Sequence, residues 1–129
     1  MEIMKWMLLL FSLTVDPKQV QTERAFSGEY LYRSDVGTYC CAVCNSPLFR
    51  SEDKYDSGSG WPSFTAVIHS KNVYYLEDPG APVKRYKVLC RTCEGHLGHV
   101  FHDGPPPKFL RYCIHSICLI FKEKPGILE

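Results

Sequence analysis

Two Cys-x-x-Cys pairs constrain the fold of this chain more than any other feature of its sequence. The first pair is Cys41 and Cys44, and the second is Cys90 and Cys93. Paired cysteines at this spacing are typical of a tetrahedral zinc site with Zn–S distances of ~2.3 Å. Four thiolates leave no open position for a substrate. The sequence therefore predicts one structural Zn²⁺ per chain, which ties the front of the chain to its back.

Two disulfide bonds in a secreted domain are the alternative for the same four cysteines. A disulfide closed within a Cys-x-x-Cys loop is strained, so zinc is the favoured interpretation. The chain has seven cysteines, an odd number, so at least one thiol stays unpaired. Zinc thiolates beside free thiols favour a reducing compartment, and we expect a cytoplasmic protein.

Charge and composition narrow the class of protein. Fifteen basic and 14 acidic residues give a net charge of +1, and no run of lysine or arginine marks a nucleic-acid surface. Nine glycines and nine prolines indicate many turns and few long helices. A length of 129 residues suits one domain. We expect a monomer, with neither nucleic acid nor membrane as a partner.

The first 15 residues are the most apolar stretch of the chain. Trp6–Val15 is too short to span a bilayer as a helix, which takes ~20 residues. Lys5 before an apolar run is a weak match to a secretory signal, and a targeting segment at 1–15 would make the protein secreted or organellar. The alternative is a segment that docks on the domain or frays. The predicted divisions of the chain are an apolar segment at 1–19, a domain at 20–124 and a tail at 125–129.

Short β-like runs separated by turn signals make up the rest of the chain. These runs are rich in aromatic and β-branched residues. The predicted strands are Tyr30–Tyr32, Thr38–Tyr39, Val73–Leu76, Tyr86–Leu89 and Arg111–Phe121. No amphipathic helical pattern of useful length follows residue 20. The chain is therefore predicted to be mainly β, with small antiparallel sheets around the metal.

The last predicted strand carries a candidate nucleophile. Side chains alternate between the faces of a strand, so Cys113 and His115 are predicted to share one face. A neighbouring histidine or arginine can favour the thiolate, which is the nucleophilic form of cysteine. The alternative is that Cys113 is a small core residue, as free cysteines often are.

Three histidines follow the second cysteine pair: His96, His99 and His102. They could act as general acids or hydrogen-bond donors near neutral pH. They could also bind a metal, but the four cysteines already account for one zinc ion. The glycines at 95 and 98 favour a bent loop for this stretch. Trp61 follows the Gly/Ser loop Asp56–Gly60 and is either a wall of the active site or a core residue.

Taken together, short motifs between Thr22 and the last predicted strand resemble the B type of methionine-R-sulfoxide reductases. The motifs are Thr22-Glu23, Phe26-Ser-Gly28, Gly37-Thr-Tyr39, Cys41–Cys44, Leu48-Phe49, Lys54-Tyr-Asp-Ser-Gly58, Gly60-Trp-Pro-Ser-Phe64, Cys90–Cys93, His96-Leu-Gly-His-Val-Phe101, Asp103-Gly-Pro105 and Arg111-Tyr-Cys-Ile114. The resemblance implies small antiparallel sheets (a β-tent) around a four-cysteine zinc site. It also implies an enzyme that reduces the R epimer of methionine sulfoxide in proteins.

The resemblance also implies roles for individual residues. Cys113 matches the nucleophile, which attacks the sulfoxide sulfur and becomes a sulfenic acid. His96 and His99 match the histidines that bind and protonate the sulfoxide oxygen. Trp61 matches the aromatic residue that receives the substrate methyl group, and Arg111 could stabilise the thiolate.

Two further positions and the partners follow from the same resemblance. Phe101 and His115 fall among the substrate-binding positions. Oxidised proteins are the implied substrate, and thioredoxin or a small thiol is the implied reductant.

The chain departs from the family's pattern at positions that bear on catalysis. Ser59 stands where many members have a cysteine that reduces the sulfenic acid, so we expect a single-cysteine enzyme served by an external thiol. Cys40 is the remaining candidate for an internal partner. His115 replaces the usual asparagine, and Lys87 replaces an acidic residue. The alternative function is therefore a catalytically impaired zinc-binding module on the same fold.

Overall fold

A computed structural model describes residues 23–124, so the segment predicted at 1–19 and the tail predicted at 125–129 lie outside the described residues. Within 23–124 the regular structure consists of β-strands and short 3-10 turns, and no helix is long and apolar enough to cross a membrane. The strands are β1 (Gly37–Cys41), β2 (Pro47–Arg50), β3 (Lys54–Tyr55), β4 (Ser63–Phe64), β5 (Val73–Glu77), β6 (Arg85–Cys90), β7 (His96–Phe101), β8 (Arg111–Ile114) and β9 (Leu119–Glu123).

The strands form two sheets in which all neighbours run antiparallel. The first sheet has three strands in the order β2-β1-β9. The second has six strands in the order β3-β4-β8-β7-β6-β5. The prediction of a mainly β protein with small antiparallel sheets is confirmed.

Aromatic side chains from both sheets form the centre of the core. Phe49 of β2 stacks on Phe64 of β4 with ring centroids 4.3 Å apart. Tyr39 of β1 meets Phe64 edge-on at 5.2 Å, and Tyr112 of β8 lies 5.8 Å from Phe49. All four side chains are buried, and aromatic pairs of this kind contribute ~0.5–1.5 kcal/mol beyond the burial of their area. These contacts hold the first sheet against β4 and β8 of the second.

Most predicted strands fall inside observed ones, but Tyr30–Tyr32 does not. Its residues lie in turns, in which Leu31 N donates to Gly28 O and Arg33 N donates to Tyr30 O, both at 3.3 Å. Tyr30 and Leu31 are nevertheless buried. The apolar content that predicted a strand here reflects burial of a turn against the core.

The predicted last strand, Arg111–Phe121, is wrong as a single element. β8 ends at Ile114, a 3-10 turn occupies Ser116–Cys118, and the chain then enters the other sheet as β9. The carboxylate of Glu23 accepts hydrogen bonds from the N–H groups of residues 116 and 117 at 3.1 and 2.9 Å, which stabilises the break. Because β8 ends before His115, the alternation of side chains along a strand does not determine the face on which His115 lies.

Candidate active site and metal centre

The four cysteines predicted to bind metal lie together at one point of the fold. Their Sγ atoms all lie within 4.8 Å of one another. The separation is 3.6 Å between Cys41 and Cys93, and 3.5 Å between Cys44 and Cys90. All seven cysteines are free, so neither Cys-x-x-Cys pair is closed by a disulfide. Thiolates at ~2.3 Å from a central ion form a tetrahedron with edges of ~3.8 Å, so the four cysteines are positioned to bind a metal ion.

Both Cys-x-x-Cys pairs adopt the same tight turn. Cys41 O accepts from Asn45 N at 2.8 Å, and Asn45 has a φ of 69°. Cys90 O accepts from Glu94 N at 2.8 Å, and Glu94 has a φ of 62°. The first sulfur of each pair also accepts backbone N–H groups from its own turn, which suits a thiolate. Because β1 ends at Cys41 and β6 ends at Cys90, the cluster links the two sheets.

Cys113 lies in the interior of the second sheet. It belongs to β8, with Ser63 of β4 opposite on one side and His99 of β7 opposite on the other. Its Sγ is 3.8 Å from Ser59 Oγ in the Gly/Ser loop, where Gly58 and Gly60 have φ of 78° and 94°. The side chain is partly buried. The sheet therefore brings the candidate nucleophile beside one of the candidate histidines.

The stretch that follows the second cysteine pair is a strand, β7, and not the bent loop that its glycines predicted. Gly98 is required because a neighbouring strand passes close to it, and not because it forms a turn. A Cβ at this position would collide with the carbonyl oxygen of Cys113 on the neighbouring strand. The glycine thus allows β7 and β8 to approach closely at the candidate site.

A β-bulge in β7 brings His96 and His99 to the same side of the sheet. Side chains three residues apart on a regular strand point to opposite faces. The register between β6 and β7 shifts at Leu97, which has no partner on β6, and an extra residue of this kind reverses the alternation. The two imidazoles consequently meet edge-on with centroids 5.2 Å apart.

Burial keeps the histidines of the site neutral near pH 7. It lowers the pKa of His96, His99 and His115 to about 4 in each case. Within residues 23–124, both ring nitrogens of His96 and Nδ1 of His115 are buried without a hydrogen-bond partner. Buried polar atoms are rarely left unpaired in proteins, so these nitrogens are available for a ligand.

The thiol of Cys113 is not a thiolate at rest. Burial raises the pKa of this group above its ordinary value. The hydroxyl of Ser59 and the charge of Arg111 act in the opposite direction, and they only partly offset the burial. Arg111 lowers the pKa of the Cys113 thiol, as expected for a neighbouring positive charge. Desolvation has the larger effect, so the pKa is raised overall.

Trp61 and His115 extend the row of rings. The ring of Trp61 meets His115 edge-on at 6.0 Å, and His115 lies 6.5 Å from His96. Trp61 Nε1 donates to the backbone carbonyl of Glu23 at 3.1 Å, which fixes the indole. Trp61 is only partly buried, so part of the residue remains accessible to solvent.

Arg111 is held by two contacts at the edge of the site. Its guanidinium donates to both carboxylate oxygens of Asp103, at 2.8 and 3.1 Å. It also lies 4.1 Å from the centroid of Phe101, its partner across β7 and β8. Phe101 thus supports the guanidinium. A polar groove of about 560 Å³ begins here and reaches Ser59.

Two residues of the site were not found from the sequence. Asp78 lies 3.2 Å from Nε2 of His99, although it is remote from it in sequence. Glu23 contacts both Trp61 and the turn after β8, as described above. Glu23 had a weak signal in the Thr22-Glu23 motif, but Asp78 belongs to no motif and is placed by the β5–β6 turn.

The chain matches the family model of the SelR domain over residues 14–123. It is 48% identical over 118 residues to a peptide methionine sulfoxide reductase MsrB of Pseudomonas putida, which covers 87% of this chain and 89% of that protein. A protein of the same name from Pseudomonas savastanoi pv. phaseolicola is 50% identical over 111 residues, with 81% of this chain and 85% of that protein covered.

The similarity extends beyond bacteria. The methionine-R-sulfoxide reductase B3, mitochondrial, of Mus musculus is 50% identical over 100 residues, which is 78% of this chain and 40% of the mouse protein. The family match spans both cysteine pairs, Cys113, the histidines and Trp61. The chain belongs to the SelR-domain family of MsrB methionine sulfoxide reductases.

Proposed function

We propose that this protein reduces methionine-R-sulfoxide in oxidised proteins, with Cys113 as the nucleophile. Family membership supports the reaction, and the surroundings of Cys113 support the role of that residue. The observation that carries the assignment is the position of its thiol. It is a partly buried thiol in a strand interior, opposite His99 and beside a row of neutral rings.

In the proposed step, the sulfur of Cys113 attacks the sulfoxide sulfur and forms a transient S–S bond. The protonated oxygen then moves to the cysteine sulfur, so that the S–O bond of the substrate and the S–S bond both break. The oxygen ends on Cys113 as a sulfenic acid, and methionine is released. The cysteine sulfur loses the two electrons that the substrate sulfur gains. Because the thiol is protonated at rest, it supplies the proton that the departing oxygen needs. His96 and His99 transfer that proton and supply no net proton themselves.

His96 is the residue best suited to contact the sulfoxide oxygen. Only 5% of it is exposed, and its two ring nitrogens have no partner among the described residues. A neutral imidazole carries one N–H, which can donate to an oxygen acceptor. Binding a polar oxygen would satisfy a group that is otherwise buried and unpaired.

Trp61 and His115 are proposed to shape the subsite for the methyl group. The indole is fixed by Glu23 and offers an apolar surface beside His115. His115 is 8% exposed and uncharged near pH 7, so it presents an imidazole edge without a charge. Phe101 and Arg111 are proposed to border the substrate on the other side of Cys113.

The second half of the reaction is proposed to use an external thiol. Ser59 places a hydroxyl, which cannot form a disulfide, next to Cys113. Cys118 donates its S–H to the carbonyl of His96 and is buried, and Cys40 is buried in β1 of the other sheet. Two equivalents of thioredoxin-like or small thiol would reduce the sulfenic acid, releasing water and a disulfide.

The ion proposed for the four-cysteine cluster is a single structural Zn²⁺. Cys41, Cys44, Cys90 and Cys93 would hold it, and all four positions are cysteine, so no ligand position is left for substrate. Its contribution is to join β1 to the β6–β7 connection. We propose that the protein works as a monomer on oxidised protein substrates.

An assay with R and S epimers of methionine sulfoxide, with dithiothreitol as reductant, tests the function. The wild-type protein is expected to reduce only the R epimer. Cys113→Ser is expected to abolish turnover and keep its zinc, whereas the control Cys40→Ser is expected to retain turnover. Turnover by Cys113→Ser would overturn the assignment. A folded, zinc-loaded wild-type protein without turnover would favour the impaired binding module.

A further inference from the structure

Asp78 bridges the candidate histidine His99 and an arginine. Its Oδ2 lies 3.2 Å from His99 Nε2 and 2.9 Å from Arg85 Nε. The side chains of His99 and Asp78 are 15% and 17% exposed, so water competes weakly for this contact. Burial alone would raise the pKa of Asp78, but the hydrogen bond and charge of Arg85 lower it below its ordinary value. The carboxylate is therefore charged near neutral pH.

The β5–β6 connection fixes the position of this carboxylate. Asp78 directly follows β5, and its N–H donates to the carbonyl of Arg85 at 3.3 Å. Its own carbonyl accepts from Ala81 N at 3.4 Å. Asp78 therefore lies on a closed turn whose other end begins β6, the strand that pairs with β7. The turn holds Asp78 against His99.

Burial, Arg85 and His96 oppose the protonation of His99. On β6, Lys87 lies directly opposite His99, and Arg85 lies nearby. On β7, His96 contacts its ring, and on β8 the thiol of Cys113 lies opposite. Within residues 23–124, Asp78 supplies the one carboxylate that pairs with His99. A proton on both nitrogens of His99 therefore depends on Asp78.

We propose that Asp78 is a positioning residue for His99, holding its Nε2–H and directing Nδ1 to the substrate oxygen. This inference rests on the proposed function of the site. With Nε2–H bound to the carboxylate, the ring can give a proton through Nδ1 only when it is an imidazolium. The carboxylate stabilises that imidazolium as the proton passes from the thiol of Cys113 to the sulfoxide oxygen. The proton count of the reaction is unchanged.

Asp78→Asn tests this proposal because the amide keeps an acceptor but removes the charge. Asp35→Asn is the matched control, since Asp35 also pairs with an arginine, Arg33, at 3.3 Å but lies on the exposed surface. Sulfenic acid formation is followed in a single turnover with methionine-R-sulfoxide as a function of pH. Nitrogen-15 NMR of the resting protein reports which nitrogen of His99 carries the proton.

Asp78→Asn is expected to slow sulfenic acid formation about tenfold or more at pH 7 and to move the pH profile to lower pH, because His99 is then harder to protonate. It is also expected to weaken the preference of His99 for the Nε2–H form, and Asp35→Asn should match the wild type in every measurement. A wild-type rate and pH profile in Asp78→Asn would overturn the proposal. So would a slower rate with an unshifted profile, which would mean a structural role only.

The NMR measurement separates this inference from the proposed function. A wild-type protein that forms no sulfenic acid would reject the proposed function, and with it the catalytic part of the inference. An Nδ1–H tautomer in the wild-type protein would reject the placement of His99 by Asp78, whatever the activity.

Discussion

At the scale of single residues, the hydroxyl of Ser59 occupies the position from which a thiol could reduce the sulfenic acid. Ser59 Oγ lies 3.8 Å from Cys113 Sγ. It is fixed by a short chain of hydroxyls, because Ser57 Oγ donates to it at 2.9 Å and lies 2.7 Å from the buried Ser63 Oγ. The loop that carries Ser59 is therefore ordered around Cys113, and a thiol in place of the hydroxyl would already lie beside the sulfenic acid.

Ser59→Cys is accordingly expected to form a disulfide with Cys113 after one turnover without added thiol. The attacking sulfur would begin close to its target, and small torsional changes suffice to reach the ~2.05 Å of a disulfide. Intact-protein mass spectrometry is expected to show the loss of two hydrogens in the variant, compared with the gain of one oxygen in the wild type. A variant that gains oxygen and forms no disulfide would show that the loop does not permit the approach.

The burial of His115 leads to a second prediction, which concerns the pH dependence of the protein's stability. Burial lowers its pKa to about 4 in the folded protein, against ~6.5 in the unfolded chain. Between these values the unfolded chain binds more protons, so stability is lost as the pH falls. The contribution of His115 amounts to about 2 kcal/mol between pH 7 and pH 5.

Urea unfolding of His115→Asn at both pH values measures this contribution. Asparagine does not titrate, so the variant is expected to lose less stability than the wild type on acidification. His69→Asn is the control, since it makes the same substitution at an exposed histidine. Equal losses in the wild type and in His115→Asn would contradict the assignment of a buried, neutral His115.

At the scale of strands, the contact of β7 with β8 aligns the histidines with the cysteine. The bulge at Leu97 turns His96 and His99 to one side, and Gly98 lets the backbone of β8 approach. Without the close approach, the pairing of His99 with Cys113 would be lost. The geometry of the site is thus a property of this strand pair as much as of the side chains.

Gly98→Ala is expected to destabilise the protein by about 1–3 kcal/mol, the range for overpacking. The added methyl group would collide with the carbonyl of Cys113, which is backbone and cannot rotate away. Gly80→Ala is the matched control, because a Cβ at position 80 meets nothing within 4 Å. Chemical denaturation of both variants makes the comparison. Similar stabilities would show that β8 can shift without loss.

The sequence predicted the elements that are determined by residues nearby in the chain, and it missed those that depend on distant residues. The strands at Val73–Leu76 and Tyr86–Leu89 were predicted correctly because their residues favour β structure and the two segments pair with each other in a hairpin. The break after Ile114 was missed, since the apolar alternation continues through it and the carboxylate that stabilises it comes from Glu23. Gly98 was assigned to a loop because the sequence does not reveal a backbone approach from another strand.

The same distinction holds for the candidate site. The four candidate metal ligands follow a short, regular spacing and were predicted together, and the structure brings them together. Cys113, His96, His99 and Trp61 were candidates from the residues alone, the resemblance implied their individual roles, and those roles stay predictions. Asp78 was not found, because its contact with His99 arises only when β5 and β6 pair and the turn between them folds back.

At the scale of the whole molecule, the cysteine cluster joins two sheets that share an aromatic core. The cluster lies where β1 of the first sheet and β6 of the second both end. Cys93→Ser is expected to lose zinc, and structural zinc contributes ~10–16 kcal/mol in small domains, as much as or more than the ~5–15 kcal/mol net stability of a protein. Both sheets should therefore unfold together.

Metal analysis and near-ultraviolet circular dichroism of Cys93→Ser check this expectation. Cys40→Ser, a substitution next to a ligand, is expected to keep one zinc ion and the native spectrum. A Cys93→Ser protein that loses its metal and keeps the native spectrum and activity would mean that the aromatic core alone specifies the fold.

A single turnover identifies the cysteine whose sulfur reacts with the substrate. The wild-type protein is allowed one turnover with a peptide that contains methionine-R-sulfoxide, without added thiol, and its cysteine peptides are analysed by mass spectrometry. We expect one oxygen on Cys113 and no disulfide. An oxygen on another cysteine, or a disulfide between Cys40 and Cys113, would contradict this expectation.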